Sequence, residues 1–344
     1  MRRRLLLAGI AAAIPPCHLL AASPAPRARP EKPKLTLAVG GKSTLYYLPL
    51  LIAEQKGYFA EQGLQLDIAD FAGGARALQA LIGGSADVVS GAYEHTLQML
   101  AKGQRIRAFV LEGQAPQLVF GYSTKKIPSY RTLADLKGAK IGVSAPGSSS
   151  HMLVSHVLSA AGLAPGDYAI VGVGSGQQSV AAYTNGQIDA TSTAEPILST
   201  IQKGGDFVIL ADTRTLKGTQ KVFGGPMPAA CLYAPEAFIK ANPNTCIALT
   251  AGILQALSWI RTAGPSEIIK TVPEAYLLGD RALYLQAFMN VREAYSPDGL
   301  ISAAGVQTIK TVLSRFNPEI RGADLDTSLT WTNEFVAAAA ATLR

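Results

Sequence analysis

Charge is scarce in this chain, and so are the side chains that hold metals or attack substrates. Asp, Glu, Lys and Arg make up only 16% of its 344 residues, against 48% hydrophobic. That balance excludes a disordered polyelectrolyte and leaves a globular chain with a modest polar surface. Three cysteines and four histidines are scattered without metal-ligand spacing, so neither a metal nor a cofactor is expected. No run of Lys and Arg interleaved with aromatics follows the first residues. The formal charge of +7 therefore describes a mildly basic surface, part of it Arg2, Arg3 and Arg4, and no nucleic-acid partner is expected. No segment past the N-terminus is long and apolar enough to span a bilayer. No nucleophile–base–acid trio stands out. Cys231 falls in a predicted strand and Cys246 in a predicted helix; two buried free thiols are expected, with a disulfide as the alternative.

The first residues read as an address. Three arginines, an apolar run over 5–14 and the small residues Ala21, Ala22 and Ser23 form the three regions of a secretory signal over 1–23. The arginines also fit a twin-arginine leader loosely. Cys17 follows Ile14-Pro15-Pro16 in place of the small-residue box of a lipoprotein. Residues 24–34, rich in proline and charge, are expected to be a disordered tether. An exported, periplasmic, soluble protein is the expectation.

What the chain does have is alternation. Residues 137–163 are the clearest case: a buried strand over 139–144, a loop with Pro146-Gly147, Ser148, Ser149 and Ser150, then a helix. Val154, Val157, Leu158 and Ala161 of that helix fall on one stripe. The loop ends at a helix N-terminus, where free N–H groups and the positive end of the dipole point outward. Either the serines cradle a ligand there or one of them caps the helix. Upstream, strands at 35–40, 66–71, 86–90 and 106–111 alternate with helices at 45–55, 75–82 and 93–102. This is the βαβαβ order of a parallel sheet with covering helices. Downstream, strands at 117–123, 168–173, 188–193 and 207–210 alternate with helices at 177–185 and 196–202. A return strand at 228–234 precedes a helical tail. A Gly stop followed by an Asp recurs at Gly84…Asp87 and Gly186…Asp189, and both Asp residues are assigned to structure. The expected organisation is lobe 1 over 35–116, lobe 2 over 117–215, and a return crossing with the rest of lobe 1 over 216–344. Two crossings, near 113–120 and 212–229, would make a hinge about a ligand cleft. A monomer that compacts on binding is expected.

The stretch YYLPLLIAEQKGYFAEQGLQLDI, with GG-x₄-QALIGGSADVV, KGAKIGVSAPGSSSH, AAYTNGQIDA and TAEP, resembles the substrate-binding proteins of nitrate/sulfonate/taurine-type ABC importers and their thiamine-precursor relatives. FIKANP and SPDGLISAAGVQ extend the resemblance to about residue 320. It implies an α/β type II periplasmic-binding fold, the helical tail packed on lobe 1, no catalysis, and delivery of a small, anionic cargo to a permease and its ATPase. An enzyme on the same two-lobe fold, acting on a small organic acid or pyrimidine precursor, is the alternative.

The resemblance further implies ligand contacts from strand-to-helix loops at 43–47, 73–76, 93–95, 148–151, 175–177 and 193–195. The candidates within them are Tyr46, Tyr47, Gly73, Gly74, Arg76, Tyr93, His95, Ser148, Ser149, Ser150, His151 and Glu195. One of Tyr46 and Tyr47 is expected in the core and the other in the cleft. His95 and His151 either touch ligand or bond locally. Arg76 could pair an anion. Glu195 could bind an amine or cap the next helix. Ala194 replaces the aromatic that relatives often carry there.

Overall fold

The computed structural model describes residues 28–343; the leader expected over 1–23 and the first residues of the tether lie outside them. The first half contains β1 (Lys34–Val39), α1 (Leu48–Gln55), α2 (Tyr58–Glu61), β2 (Gln65–Asp70), α3 (Gly74–Ile82), β3 (Val88–Ala92), α4 (Glu94–Ala101) and β4 (Ile106–Leu111). After the first crossing come β5 (Leu118–Ser123), β6 (Lys140–Val143), α5 (Ser149–Ala160), β7 (Ala169–Gly172), α6 (Gln177–Thr184), β8 (Ala190–Ala194), α7 (Ile197–Gln202) and β9 (Phe207–Asp212). The second crossing carries α8 (Leu216–Phe223), which the sequence reading left out, and leads to β10 (Ala230–Pro235). The tail is α9 (Glu236–Ala241), α10 (Pro243–Thr262), α11 (Pro265–Thr271), α12 (Arg281–Val291), α13 (Ala303–Phe316), α14 (Pro318–Arg321) and α15 (Glu334–Thr342).

Each half of this alternation builds its own sheet, in the order β2-β1-β3-β10-β4 for lobe 1 and β7-β6-β8-β5-β9 for lobe 2. The two orders are the same once the crossing strand is set apart: second, first, third, crossing strand, fourth. The parallel sheets expected from βαβαβ are interrupted at that crossing strand. β10 is antiparallel to β3 and β4, and β5 is antiparallel to β8 and β9. The reason is geometric. The other strands of each lobe run towards the cleft, so a chain arriving from the opposite lobe starts at the cleft and must run away from it.

The repeated Gly…Asp device has one physical role in both lobes. Asp87 donates its backbone N–H to the Thr36 carbonyl and its carboxylate accepts the Thr36 N–H at 3.0 Å. Asp189 does the same to Lys140, its carboxylate accepting that N–H at 2.8 Å. Each Asp thus pins the third strand to the start of the first.

The long apolar α10 lies on α1, α2, β4 and α15, which seats the tail on lobe 1, and α12 and α13 also reach α7 and α5 of lobe 2. The expected tether is a correction: from Glu31 onward it is docked. Glu31 accepts the N–H groups of Asn244 and Thr245, the open first turn of α10, and Lys32 pairs with Asp87 at 2.6 Å. A carboxylate at a helix N-terminus gains both hydrogen bonds and the dipole. Cys231 and Cys246 are free and buried. Among the described residues no helix is long and apolar enough to cross a membrane, and no group of His, Cys, Asp or Glu is placed to hold a metal ion.

Candidate functional site

The carboxyl ends of β1, β3, β6 and β8 converge between the sheets, as expected of ligand sites in open α/β folds. The lobes meet there closely. Gly40, at the end of β1, has no room for a side chain: a Cβ would sit 2.2 Å from the Gly74 nitrogen. Its bareness lets the start of α3 lie on the strand end. From lobe 2, Ser148 stands at the N-cap of α5 yet makes no cap bond to its own helix. Its Oγ instead accepts the Ala75 N–H of α3, across the cleft, at 2.9 Å. Neither of the two sequence alternatives anticipates this, because the serine caps the helix of the other lobe. Ser149 donates its hydroxyl proton to Glu94 of lobe 1. Ser175 donates to the Ala72 carbonyl at 3.1 Å. Leu45 donates its N–H to the Glu195 carbonyl at 2.9 Å. These four bonds describe a closed clamp.

Between them remains a small cavity of about 50 Å³ lined by Thr44, Tyr46, Tyr47 and Gly74 from lobe 1 and by Ser144, Ser148, Ser149, Ser150, Ser175, Ser192 and Thr193 from lobe 2, with Gly40, Leu118, Gly174 and Ala194. No ionisable acid or base other than the two tyrosines is in that lining. Tyr46 and Ser192 are 5% and 1% exposed, and both hydroxyls lack a partner among the described residues. The N–H groups of Ser149 and Ser150, in the first turn of α5, likewise donate to no partner among those residues. Buried polar groups are ordinarily satisfied, so this set is poised for something that brings acceptors. A larger groove of about 650 Å³ at the back of the hinge is a weaker candidate. Its Arg214 and Arg292 are already held by carboxylates and helix-end carbonyls respectively.

Of the residues singled out from the sequence, Tyr46, Tyr47, Gly74, Ser148, Ser149 and Ser150 line the cavity. Both tyrosines do so, edge to face with ring centres 4.7 Å apart, and both also belong to the buried core of lobe 1, so core and cleft are not alternatives here. Gly73 lies just outside, against Ala145. Arg76 is a correction: it is exposed on the outer face of α3 and bonded to Gln79. Tyr93 is buried in lobe 1 and bonds Thr330 at 2.6 Å. His95 lies behind Gly74, fully buried and bonded to the Tyr233 hydroxyl, and burial holds its pKa down to about 4. His151 accepts the Gly147 N–H. Glu195 is fully buried and committed to Arg214, Ser199 and Asn290. Ser144, just past the end of β6, Ser192, in the middle of β8, and Glu94 are not among the residues singled out from the sequence. Burial pushes the Glu94 carboxyl up to about 7 and Glu112, bonded to Ser90, up to about 8.

With this geometry in place, residues 28–272 match the sequence profile of the NMT1-like family. The chain belongs to the NMT1-like family. A solved structure of a Bordetella bronchiseptica protein is 53% identical, with a TM-score of 0.89 over 91% of this chain and 98% of that one. The alkanesulfonate-binding protein SsuA of Xanthomonas axonopodis shares the fold at 20% identity, with a TM-score of 0.66 over 91% and 98% of the two chains. The periplasmic-binding fold of two α/β lobes is thereby established. Among curated proteins, putative binding protein YtlA of Bacillus subtilis is 21% identical over 79% of this chain and 80% of its own. A 4-amino-5-hydroxymethyl-2-methylpyrimidine phosphate synthase of Schizosaccharomyces pombe is 29% identical over 45% of this chain and 43% of its own. This NMT1-like chain is therefore similar to binding proteins along most of its length and to an enzyme along less than half.

Proposed function

We propose that the protein is the solute-binding component of an ABC importer, which closes its lobes on a small acceptor-rich solute outside the cytoplasm and delivers it to a membrane permease. One observation carries the reading: unpartnered Tyr46 and Ser192 hydroxyls and free α5 N–H groups face one cavity between lobes that are joined across it. The fit is to a carboxylate, sulfonate or similar oxyanion on a small body. Hydroxyls and a helix N-terminus hold its charge, since Arg76 is outside. The similarity to binding proteins over most of the chain supports the same reading.

The test is a thermal-shift and calorimetric panel of sulfonates, nitrate, aromatic carboxylates and pyrimidines. A true cargo at ~100 times its Kd adds about 2.7 kcal/mol of stability and reduces the radius of gyration of unliganded protein. A panel with no stabilising member sinks the capture reading. The partial match to the pyrimidine phosphate synthase favours a second reading, chemistry on a pyrimidine precursor. A pyrimidine recovered altered after incubation would select it; one recovered unchanged selects capture.

A further inference from the structure

The hydroxyls of Ser148, Ser149 and Ser175 bond across the closed cleft, but they are not equivalent. Ser148 has its lone pairs engaged by the Ala75 N–H, so its own proton is free to point at a solute. Ser149 is the reverse. Its proton goes to Glu94, so the cleft sees only its lone pairs. Glu94 is 2% exposed and opens α4, directly after the strand that ends at the cleft. An ionised carboxylate can only accept, whereas a protonated one can also donate. With a proton on Glu94 the bond reverses: the acid donates to Ser149 Oγ, and the Ser149 proton turns to the cavity.

We propose that Glu94 is a specificity-determining residue of this cleft, which sets through Ser149 whether the closed lobes accept an anion, so that an anion is captured together with a proton. The inference rests on the capture reading above. Its surroundings favour the protonated form. Tyr46 and Tyr47 face Glu94 from the turn before α1 and Cys231 and Tyr233 from β10, His95 follows it on α4, and Glu112, just after β4, has Tyr47 and Cys231 as neighbours in common with it. Burial keeps the tyrosines, the thiol and His95 uncharged, and Glu112 is another acid. No cation is bonded to Glu94 among the described residues. Its charge would stand unopposed beside the bound anion, and burial already brings its titration near neutrality.

Methanesulfonate, ionised throughout the accessible range, is the probe. Binding to the full mature chain is measured by calorimetry from pH 6 to 8.5, in two buffers of different ionisation enthalpy. Wild-type affinity is expected to fall about tenfold per pH unit above pH ~7, with about one proton taken up per anion. Glu94→Gln, whose amide donates as the protonated acid does, keeps its pH 6 affinity to pH 8.5 and takes up no proton. Ser149→Ala binds more weakly at pH 6 and loses the slope. Equal slopes in wild type and Glu94→Gln, or a slope surviving in Ser149→Ala, overturn the inference and leave capture standing. Absence of methanesulfonate binding by any of the three at pH 6 overturns the anion reading of the cleft and this inference with it.

Discussion

Glu94 and Glu195 occupy corresponding places in the two lobes: each follows the third strand of its sheet, β3 or β8, at the edge of the cleft. Both are essentially without solvent contact. The lobes nevertheless treat them oppositely. Lobe 2 gives Glu195 a cation, Arg214, itself gripped by Asp212, and adds Ser199, while Asn290 donates to it from α12 of the tail. Lobe 1 gives Glu94 only a serine from across the cleft, with Glu112 buried near the same tyrosines. Identical topology therefore leaves the electrostatics of a position open. A buried carboxyl is tolerated either by a partner charge or by giving up its own.

The largest effect should come from breaking the ionic solution. Arg214→Ala leaves Glu195 buried without a cation, and a loss of about 3–5 kcal/mol is expected in denaturant unfolding. A loss below about 1 kcal/mol would mean that the lobes do not differ in this way. Next is the contact between lobes. Gly73 has an extended backbone that any residue adopts, but a Cβ there would come to 3.0 Å from Ala145 Cβ and the Ser144 carbonyl carbon of lobe 2. Gly73→Ala should weaken solute-driven compaction by about 1–3 kcal/mol while unliganded protein melts as the parent does. Ser148→Ala is milder. It strands the Ala75 N–H at closure and should cost about 1 kcal/mol of affinity in calorimetry.

The effect that vanishes near pH 5 tests the acidic lobe. Glu112 in the folded chain titrates at about 8, above the ordinary 4.5 of an unfolded glutamate. Between those values the folded state binds more protons, so this group's stabilisation is complete below pH ~4.5 and is lost as pH rises through about 8. Glu112→Gln should therefore match the parent in melting temperature near pH 5, exceed it increasingly as pH rises from there to about 8, and hold a constant advantage above that. A constant difference between about pH 5 and 8 would show that Glu112 is not proton-bearing.

Much of this was legible in the chain. Strand–helix alternation located both lobes, and the serine loop before α5 led to the cavity because a helix start after a sheet strand leaves free N–H groups. Strand direction was not legible: the apolar runs of β5 and β10 look alike whether they run with or against their neighbours. Arg76 could have been placed correctly. Ala75, Ala77, Leu78, Ala80 and Leu81 form the buried face of α3, which puts Arg76 and Gln79 together on the outside. Ser144 gave no signal, since a small polar residue at a strand end serves equally in a turn, and Ser192 gave none because a serine within the short polar strand β8 reads as ordinary sheet. Glu94 was hidden because an acid in a first helical turn already has an ordinary explanation in the dipole.

The inserted strand also bears on how the chain comes to be folded. All five strands of lobe 2 lie between residues 118 and 212, so that sheet can be completed as soon as its own segment exists. Lobe 1 cannot: β4 pairs with β10, not with β3, and β10 ends at residue 235. The lobe that comes first in sequence must hold an unpaired edge until the whole of the second has been made. In vectorial synthesis the order of completion thus runs against the order of the chain, and the clamp gains its second jaw last.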